Sequence, residues 1–384
     1  MKKEIYLDNA ATTRVAERVA ERVKAALIKG YGNPSSQHSI GQKARAEVEK
    51  ARKEVADYIG AEPEEIFFTS GGTEANNLAL RGLARASPSK KHIITSVIEH
   101  PCILETCRDL EKAGFKIDYI KVDSEGIVDL KEIEKKITKN TLVVSIMHVN
   151  NEIGTVQPIE DIGELCLEKG VLFHTDATQS FTKLPINVTK MNIDLMSVSG
   201  HKFRAPKGVG FLYVKRGTQI RPVTTGGGQE RGLRSGTENV PGILGIAEAI
   251  KLDNHSKKVM KDRNELMNEL LKIPGSRING SLKKRIFNNI NISFYGIEGE
   301  SLMLMLDKEG ICVSTGSACA SSKLSESHVL KAIGVDEMYV HGSLRLTLDE
   351  ESGDHLEFIA DKIKEKVARL REISPFKLNL EEAK

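Results

Sequence analysis

Residues 193–214 read IDLMSVSGHKFRAPKGVGFLYV, two apolar runs on either side of a turn cluster that holds Lys202 and closes with Pro206 and Gly208. The runs are apolar at consecutive positions instead of alternating, as expected of strands covered on both faces in a mostly parallel sheet. Further β-rich runs, several of them also apolar at consecutive positions, are HIITSV (92–97), FKIDYIKVD (115–123), TLVVSIM (141–147) and VLFHTD (171–176), with helical patterns between them from about residue 15 to 215. That alternation predicts an α/β fold. Ligands of such sheets bind beyond the carboxyl ends of the strands. His100, Asn151, Asp176 and Ser199 to Lys202 each follow such a run, so one pocket can collect them.

At 384 residues the chain exceeds one ordinary core, which suggests two packed domains. The helical text at 240–272 reads as one long helix or two joined ones, and the boundary falls within it. The expected division is a large domain over 15–255, with 1–14 and 256–384 forming a smaller α+β domain. Charged residues at 28% and apolar residues at 40% are the balance of a globular protein. A net charge of +3, from 56 basic against 53 acidic residues, gives no bulk reason to expect nucleic acid. The sequence has no apolar run long enough to span a bilayer, and its first residues lack the apolar core of a signal peptide, so no membrane association and a cytoplasmic location are expected. The five cysteines, Cys102, Cys107, Cys166, Cys312 and Cys319, are odd in number, scattered, and free of C-x-x-C pairs. They suggest neither a disulfide framework nor a zinc site.

Three local patterns carry chemistry only in combination. FFTSGGTEANNLALRGLA (67–84) runs from a strand through a glycine turn into a helix, whose unpaired N–H groups form an anion cup. Taken alone, a helix capped by Thr73 explains it equally well. Asp176, just past a strand, can simply cap a turn, but it can also face a pyridine nitrogen and keep it protonated. Lys202 is by default a surface lysine; at a strand end, desolvated, it becomes a nucleophilic amine. An anion cup, a carboxylate and a lysine in that chain order are the requirements of a pyridoxal 5'-phosphate site. In STGSACASSKL (314–324), Cys319 sits among small residues where a thiolate can act as nucleophile. Cys102, Cys107, Cys166 and Cys312 read as packing.

Over nearly its whole length the chain resembles the cysteine desulfurases of the NifS/IscS type, which are fold-type I pyridoxal-phosphate enzymes. The resemblance rests on YLDNAATT (6–13), YGNPSSQH (31–38), SGGTEANN (70–77), EHPCILE (99–105), HVNNEIGTVQP (148–158), DATQS (176–180), SGHK (199–202), GGGQERGLRSGTENV (226–240), STGSACAS (314–321) and HGSLRLTL (341–348). It implies a large domain with a mostly parallel seven-stranded sheet and a smaller α+β domain carrying the cysteine loop. It further implies that L-cysteine is converted to L-alanine while its sulfur passes to Cys319 as a persulfide, bound for iron-sulfur cluster assembly or tRNA thiolation.

The residue roles follow from the same resemblance. Lys202 would hold the cofactor covalently and later move the Cα proton. His100 would lie over the pyridine ring, Asp176 would pair with the ring nitrogen, and Gln179 with the phenolic oxygen. Gly72, Thr73, Ser199 and His201 would hold the phosphate, joined by Thr237 from the neighbouring subunit of a homodimer. Asn33, Asn151 and Arg345 would hold the substrate carboxylate, Arg345 by its bidentate fork. Beyond a transient cluster contact at Cys319, no metal role is implied. A scaffold protein or another sulfur acceptor would be the partner. The text around Cys319 resembles the branch with a long loop.

Two positions depart from the family pattern. Ala205 stands where a glycine is common, so the backbone there is expected in an ordinary region. After Arg345 the chain reads LTLDEESGDH, and no second arginine is carried over.

Overall fold

The structure is a computed structural model, and it describes residues 4–315 and 326–374. In chain order the elements are β1 (Ile5–Tyr6), α1 (Glu17–Lys29), α2 (Ser39–Ile59), β2 (Ile66–Thr69), α3 (Gly72–Ala86), β3 (His92–Ser96), α4 (Pro101–Lys112), β4 (Lys116–Ile120), α5 (Leu130–Lys136), β5 (Thr141–Ser145), α6 (Ile159–Lys169) and β6 (Leu172–Asp176). There follow β7 (Leu195–Ser199), β8 (Gly210–Val214), α7 (Val240–Ala249), α8 (Ser256–Leu270), β9 (Ser276–Ile278), β10 (Asn289–Phe294), α9 (Gly299–Asp307), β11 (Ile311–Cys312), α10 (His328–Ala332), α11 (Glu337–Val340), β12 (Ser343–Thr347) and α12 (Leu356–Ile373).

Seven strands form the large sheet in the order β2-β8-β7-β6-β5-β3-β4. Only β8 runs against its neighbours; the other pairings are parallel. Strands β3, β5, β7 and β8 are buried at every position, which accounts for their unbroken apolar text. One face of the sheet packs against α1, α2, α6 and α7 through Val55, Ile59, Phe173, Phe181, Val198, Phe211 and Ile243. The other carries α3 and α4 through Leu78, Leu80, Leu83, Ile103 and Leu110.

A second core gathers Ile5 and Leu7 with residues of α8, β10, α9, β12 and α12, among them Leu266, Ile290, Phe294, Leu302, Leu344, Ile359 and Ile363. Its three-stranded sheet has the order β12-β10-β9, and β1 pairs separately with β11. The text at 240–272 resolves into two helices, because Asp253 to His255 break it and His255 takes a left-handed φ of 50°. On the separation of these cores we propose the division into residues 15–255 and residues 1–14 with 256–384. One segment crosses it: Val329, Leu330, Ile333 and Val340 pack with Ile98, Met147 and Ile153 from the loops of the large sheet.

The segment before α7 is pinned by a buried ion pair. Arg52 Nη1 and Nη2 donate to the two carboxylate oxygens of Glu230 at 2.8 and 2.9 Å, and the same carboxylate accepts the Phe68 N–H at 2.8 Å. This anchor holds Glu230 and Arg231 in left-handed backbone, φ 44° and 56°, where neither residue type settles readily. Arg52→Ala leaves a buried carboxylate without its partner and should cost about 3–5 kcal/mol. Urea unfolding measures this, and replacing both partners by apolar residues should cost less than replacing Arg52 alone.

Candidate active site

Strands β3, β5, β6 and β7 are neighbours in the sheet, and the residues after their carboxyl ends converge. Asp176 closes β6, its side chain buried. Its Oδ2 accepts from Asn76 Nδ2 at 2.6 Å and its Oδ1 from the Thr178 N–H at 2.9 Å. His100 caps α4, with Nδ1 accepting the Cys102 N–H at 3.2 Å. Burial lowers the His100 pKa; the charge of Asp176 works against that fall, while Lys202 and His328 add to it. Asp176 connects to His100 through Asn76 and Cys102, and His328 contacts the carbonyl of neighbouring Glu99.

The N-terminal segment floors the site. Lys202 Nζ donates to the carbonyls of Ala10 and Ala11, both at 2.7 Å, and Gln179 Nε2 donates to the Ala10 carbonyl at 2.9 Å. The His201 carbonyl accepts the Thr13 N–H at 2.8 Å, and His201 Nδ1 lies 3.1 Å from Thr12 Oγ1. Burial, with Lys202 and Lys207 nearby, lowers His201 to about 4, so its ring is neutral near neutral pH.

The anion cup is present at the start of α3. The N-cap is Gly71 rather than Thr73, and its φ of 152° lies at the edge of the range that favours glycine. Thr73 therefore sits inside the first turn, and no side chain caps the helix among the described residues. The leading N–H groups of the helix, on Gly72 and Thr73, have no partner within it. A Cβ on Gly72 would come 2.9 Å from Thr178 Oγ1 and 3.3 Å from Ser199 Cβ, so Gly72 is small because the cup wall is close. Thr178 Oγ1 is buried and finds no hydrogen-bond partner among the described residues. A hydroxyl left over beside open N–H groups is what a phosphate would satisfy. The residues present fit the phosphorylated pyridoxal cofactor that the sequence suggests.

Arg345 lies on β12, which pairs Arg345 with Asn291 of β10, and its side chain is 3% exposed. Nη2 donates to Asp8 at 2.8 Å and Nη1 to the Asn151 carbonyl at 3.1 Å, while Nε has no partner among the described residues. Asn151 and Arg345 thus meet. Asn33 does not join them by any observed contact: it is exposed and lines a groove of about 240 Å³ with Leu27, Tyr31, Thr237 and Pro241. Cys319 lies outside the described residues.

Both ends of the segment that carries Cys319 are tied to this region. Ser314 exchanges backbone hydrogen bonds with Arg345 at 3.2 and 2.7 Å. On the far side, Ser327 caps α10 and donates to the buried Glu152 carboxylate, and His328 Nε2 contacts the Glu99 carbonyl at 3.1 Å. Burial raises Glu152 to about 7 and Glu99 to about 8.

The aminotransferase class-V family model matches residues 5–348. The chain belongs to this family. Among curated relatives it is 47% identical to cysteine desulfurase IscS of Dictyoglomus turgidum, over 98% of both chains. It is also 47% identical to cysteine desulfurase IscS of Methanosarcina thermophila, over 97% of this chain and 94% of that one. A solved NifS-like protein superposes with a TM-score of 0.89 at 42% identity, covering 96% of this chain and all (100%) of the other. The structure described as SspA in complex with cysteine gives 0.82 at 39% identity, covering 90% of this chain and 99% of the other. Within the class-V family the chain therefore stands with the NifS/IscS-type cysteine desulfurases.

The two departures from the desulfurase pattern acquire a structural reading. Ala205 keeps an ordinary φ, as expected, and the left-handed position falls one residue earlier, on Arg204 at φ 70°. Arg204 is held there by Thr13 Oγ1, which accepts its N–H at 2.7 Å, and by Glu350, 2.5 Å from Nη1. The LDEESGDH stretch supplies that glutamate and closes on itself where Ser352 Oγ donates to Asp349 at 2.8 Å.

Asp8, Asn76, Cys102, Thr178, Lys183, Glu152, Ser327 and His328 escape the sequence reading, since no local motif marks what their side chains meet in the fold. Lys183 is instructive. Its stem is partly exposed in a cavity of about 280 Å³ between the two cores, yet its ammonium is enclosed, 3.3 Å from Gln179 Oε1. Burial, with a contribution from the charge of Lys202, lowers its pKa to about 7. A lysine that loses its proton more readily when folded destabilises the fold while charged. Between about pH 7 and 10 the unfolded chain binds more protons, so this residue makes stability rise with pH and contributes no slope below that window. Lys183→Met should flatten the rise, as measured by denaturant unfolding at stepped pH; an unchanged slope would contradict the assignment.

Proposed function

We propose that this chain, a cysteine desulfurase, carries out the conversion of L-cysteine to L-alanine with Lys202, His100, Asp176, Arg345 and Cys319 in the leading roles. The observation that carries this reading is the convergence of Lys202, Asp176 and His100 beside an anion cup, with Arg345 at the root of the Cys319 segment. Pyridoxal 5'-phosphate, when bound, supplies a carbonyl that links to amines and a protonated ring that withdraws electrons from the substrate Cα.

The chain's own residues do the rest. Gly72, Thr73, Ser199, His201 and Thr178 hold the phosphate. Asp176, oriented by Asn76 and the Thr178 N–H, would pair with the ring nitrogen, and Gln179 with the phenolic oxygen. Arg345, aligned by Asp8, would offer its Nε, which has no partner among the described residues, to the substrate carboxylate beside Asn151. Lys202 takes the Cα proton, and His100 assists at a second proton position. The Cys319 thiolate attacks the substrate sulfur: an S–S bond forms as the C–S bond breaks, and the carbon skeleton gains protons to leave as alanine.

Chain geometry supports this delivery. Cys319 is five positions along the chain from Ser314, whose backbone pairs with that of Arg345. Sulfur would pass onward to a scaffold for iron-sulfur clusters or to a tRNA-thiolation relay, in the cytoplasm, without direct nucleic-acid or membrane contact. Among the described residues no helix is long and apolar enough to cross a membrane.

The assembly is a homodimer. Leu27, Ile28 and Tyr31 are 63, 64 and 72% exposed, an apolar cluster that a second copy would cover. Thr237 shares its groove, where it would reach the neighbouring site. Asn33 lies in the same groove, so it would serve the neighbour's substrate rather than its own chain's.

Mass spectrometry after mixing with L-cysteine tests the reading: one added sulfur is expected on Cys319, with alanine released. Cys319→Ala should keep the yellow cofactor band and yield no persulfide; normal sulfur release from that variant would refute the role. His100→Gln should slow turnover by ~10²- to 10⁴-fold, the usual worth of one general acid or base, and less than Lys202→Ala does. Arg345→Ala should raise KM for L-cysteine ~10-fold or more, since a charge-assisted hydrogen bond contributes about 1.5–3 kcal/mol.

A further inference from the structure

Cys102 reads as packing in the sequence, yet its sulfur stands among the polar contacts that fix His100. Sγ lies 3.0 Å from His100 Nδ1 and accepts from Asn76 Nδ2 at 3.1 Å. The Cys102 backbone N–H also points at Nδ1, 3.2 Å away. A backbone amide can only donate, so Nδ1 is an acceptor and the ring proton of neutral His100 sits on Nε2. Burial, with Asp176 adding to it, pushes the Cys102 thiol up to about 12, so the group keeps its hydrogen. Asn76 spends its amide group on both sides, donating to Asp176 and to Cys102. A run of contacts therefore joins Asp176 to His100 through Asn76 and Cys102.

We propose that Cys102 is a positioning residue for His100: its thiol donates to Nδ1 and, with the Cys102 amide, holds the imidazole neutral with its proton on Nε2. This rests on the reading of His100 as a proton-transfer group. To gain a proton at Nδ1 the ring must give up both donors, and one of them caps α4. His100 consequently enters the cycle as a donor through Nε2. The charged and titratable groups facing it are Asp176 from β6, Lys202 after β7, His328 from α10 and Cys102 on its own helix. Of these only Asp176 favours the imidazolium; Lys202, His328 and burial oppose it. The thiol adds to the opposing side.

The test uses holoenzyme labelled with ¹⁵N-histidine, with the His100 signals identified by their loss in His100→Gln. Wild type should show an Nε2–H tautomer that resists protonation as pH falls. Cys102→Ala should raise the His100 titration by about half to one pH unit, the worth of one modest hydrogen bond, and move the acid limb of kcat/KM upward with it. Cys102→Ser, whose hydroxyl also donates, should keep the wild-type titration. An Nδ1–H tautomer in wild type, or a His100 titration unmoved by Cys102→Ala, or a serine variant that behaves like alanine, would overturn the proposal. Because the resonance arm reads the resting protein, it gives its answer even if the desulfurase assignment of His100 fails.

Discussion

The strap of residues 8–13 between the two cores is the constraint on which the site turns, and while the Lys202 amine is free the Ala10 and Ala11 carbonyls accept from it at 2.7 Å each. Lys202 follows β7 in the large sheet, whereas Ala10 and Ala11 belong to a segment whose start, Ile5 and Leu7, is buried in the second core. One side chain thus ties the two cores across the site. The same segment binds at three further points: Asp8 to Arg345, Asn9 Nδ2 to the Thr347 carbonyl at 2.8 Å, and Thr13 to His201. Lys202, Arg345 and His201 share one strap, so none can shift without the others feeling it.

The strap explains why the chemistry sits on strand ends and not in loops alone. Parallel strands β5, β6 and β7 lie side by side and end on one edge, and helix N-termini open toward the same edge. Buried polar groups complete the positioning by pairing with partners remote in sequence: Asn76 Nδ2 with Asp176, Glu152 with Ser327, Asn150 Nδ2 with the Ile98 carbonyl at 2.9 Å. Such networks rigidify a site because an unpaired member would cost about 1–3 kcal/mol. On either side of residues 316–325, Ser314 pairs with Arg345 and Ser327 with Glu152.

Much of this was legible before any coordinates. Consecutive apolar runs announced β3, β5, β7 and β8 because burial on both faces leaves no alternation. The residues that follow those runs, His100, Asp176 and Lys202, were legible for the same reason. Other features lay beyond local pattern. The break at Asp253 to His255 carries no proline or glycine, and His255 is left-handed without the usual residue type. Thr73 resembles a helix cap, but two glycines before it let the chain enter the helix one turn position earlier. Cys102 looked apolar by neighbourhood, yet its sulfur meets His100 and Asn76. Asn33 reads as a substrate ligand, yet it is exposed in a groove with Thr237 and has no observed contact with Asn151 or Arg345.

Two lysines stand close to the expected cofactor, and they separate the account from its nearest competitor. Lys202 is the one that the strap orients, while Lys183 is the one that burial leaves readily deprotonated and within reach of Gln179. Borohydride reduction of the holoprotein followed by peptide mapping distinguishes them directly. The account predicts a pyridoxyl group on the peptide containing Lys202 and none on Lys183; modification of Lys183, or of neither, would contradict it.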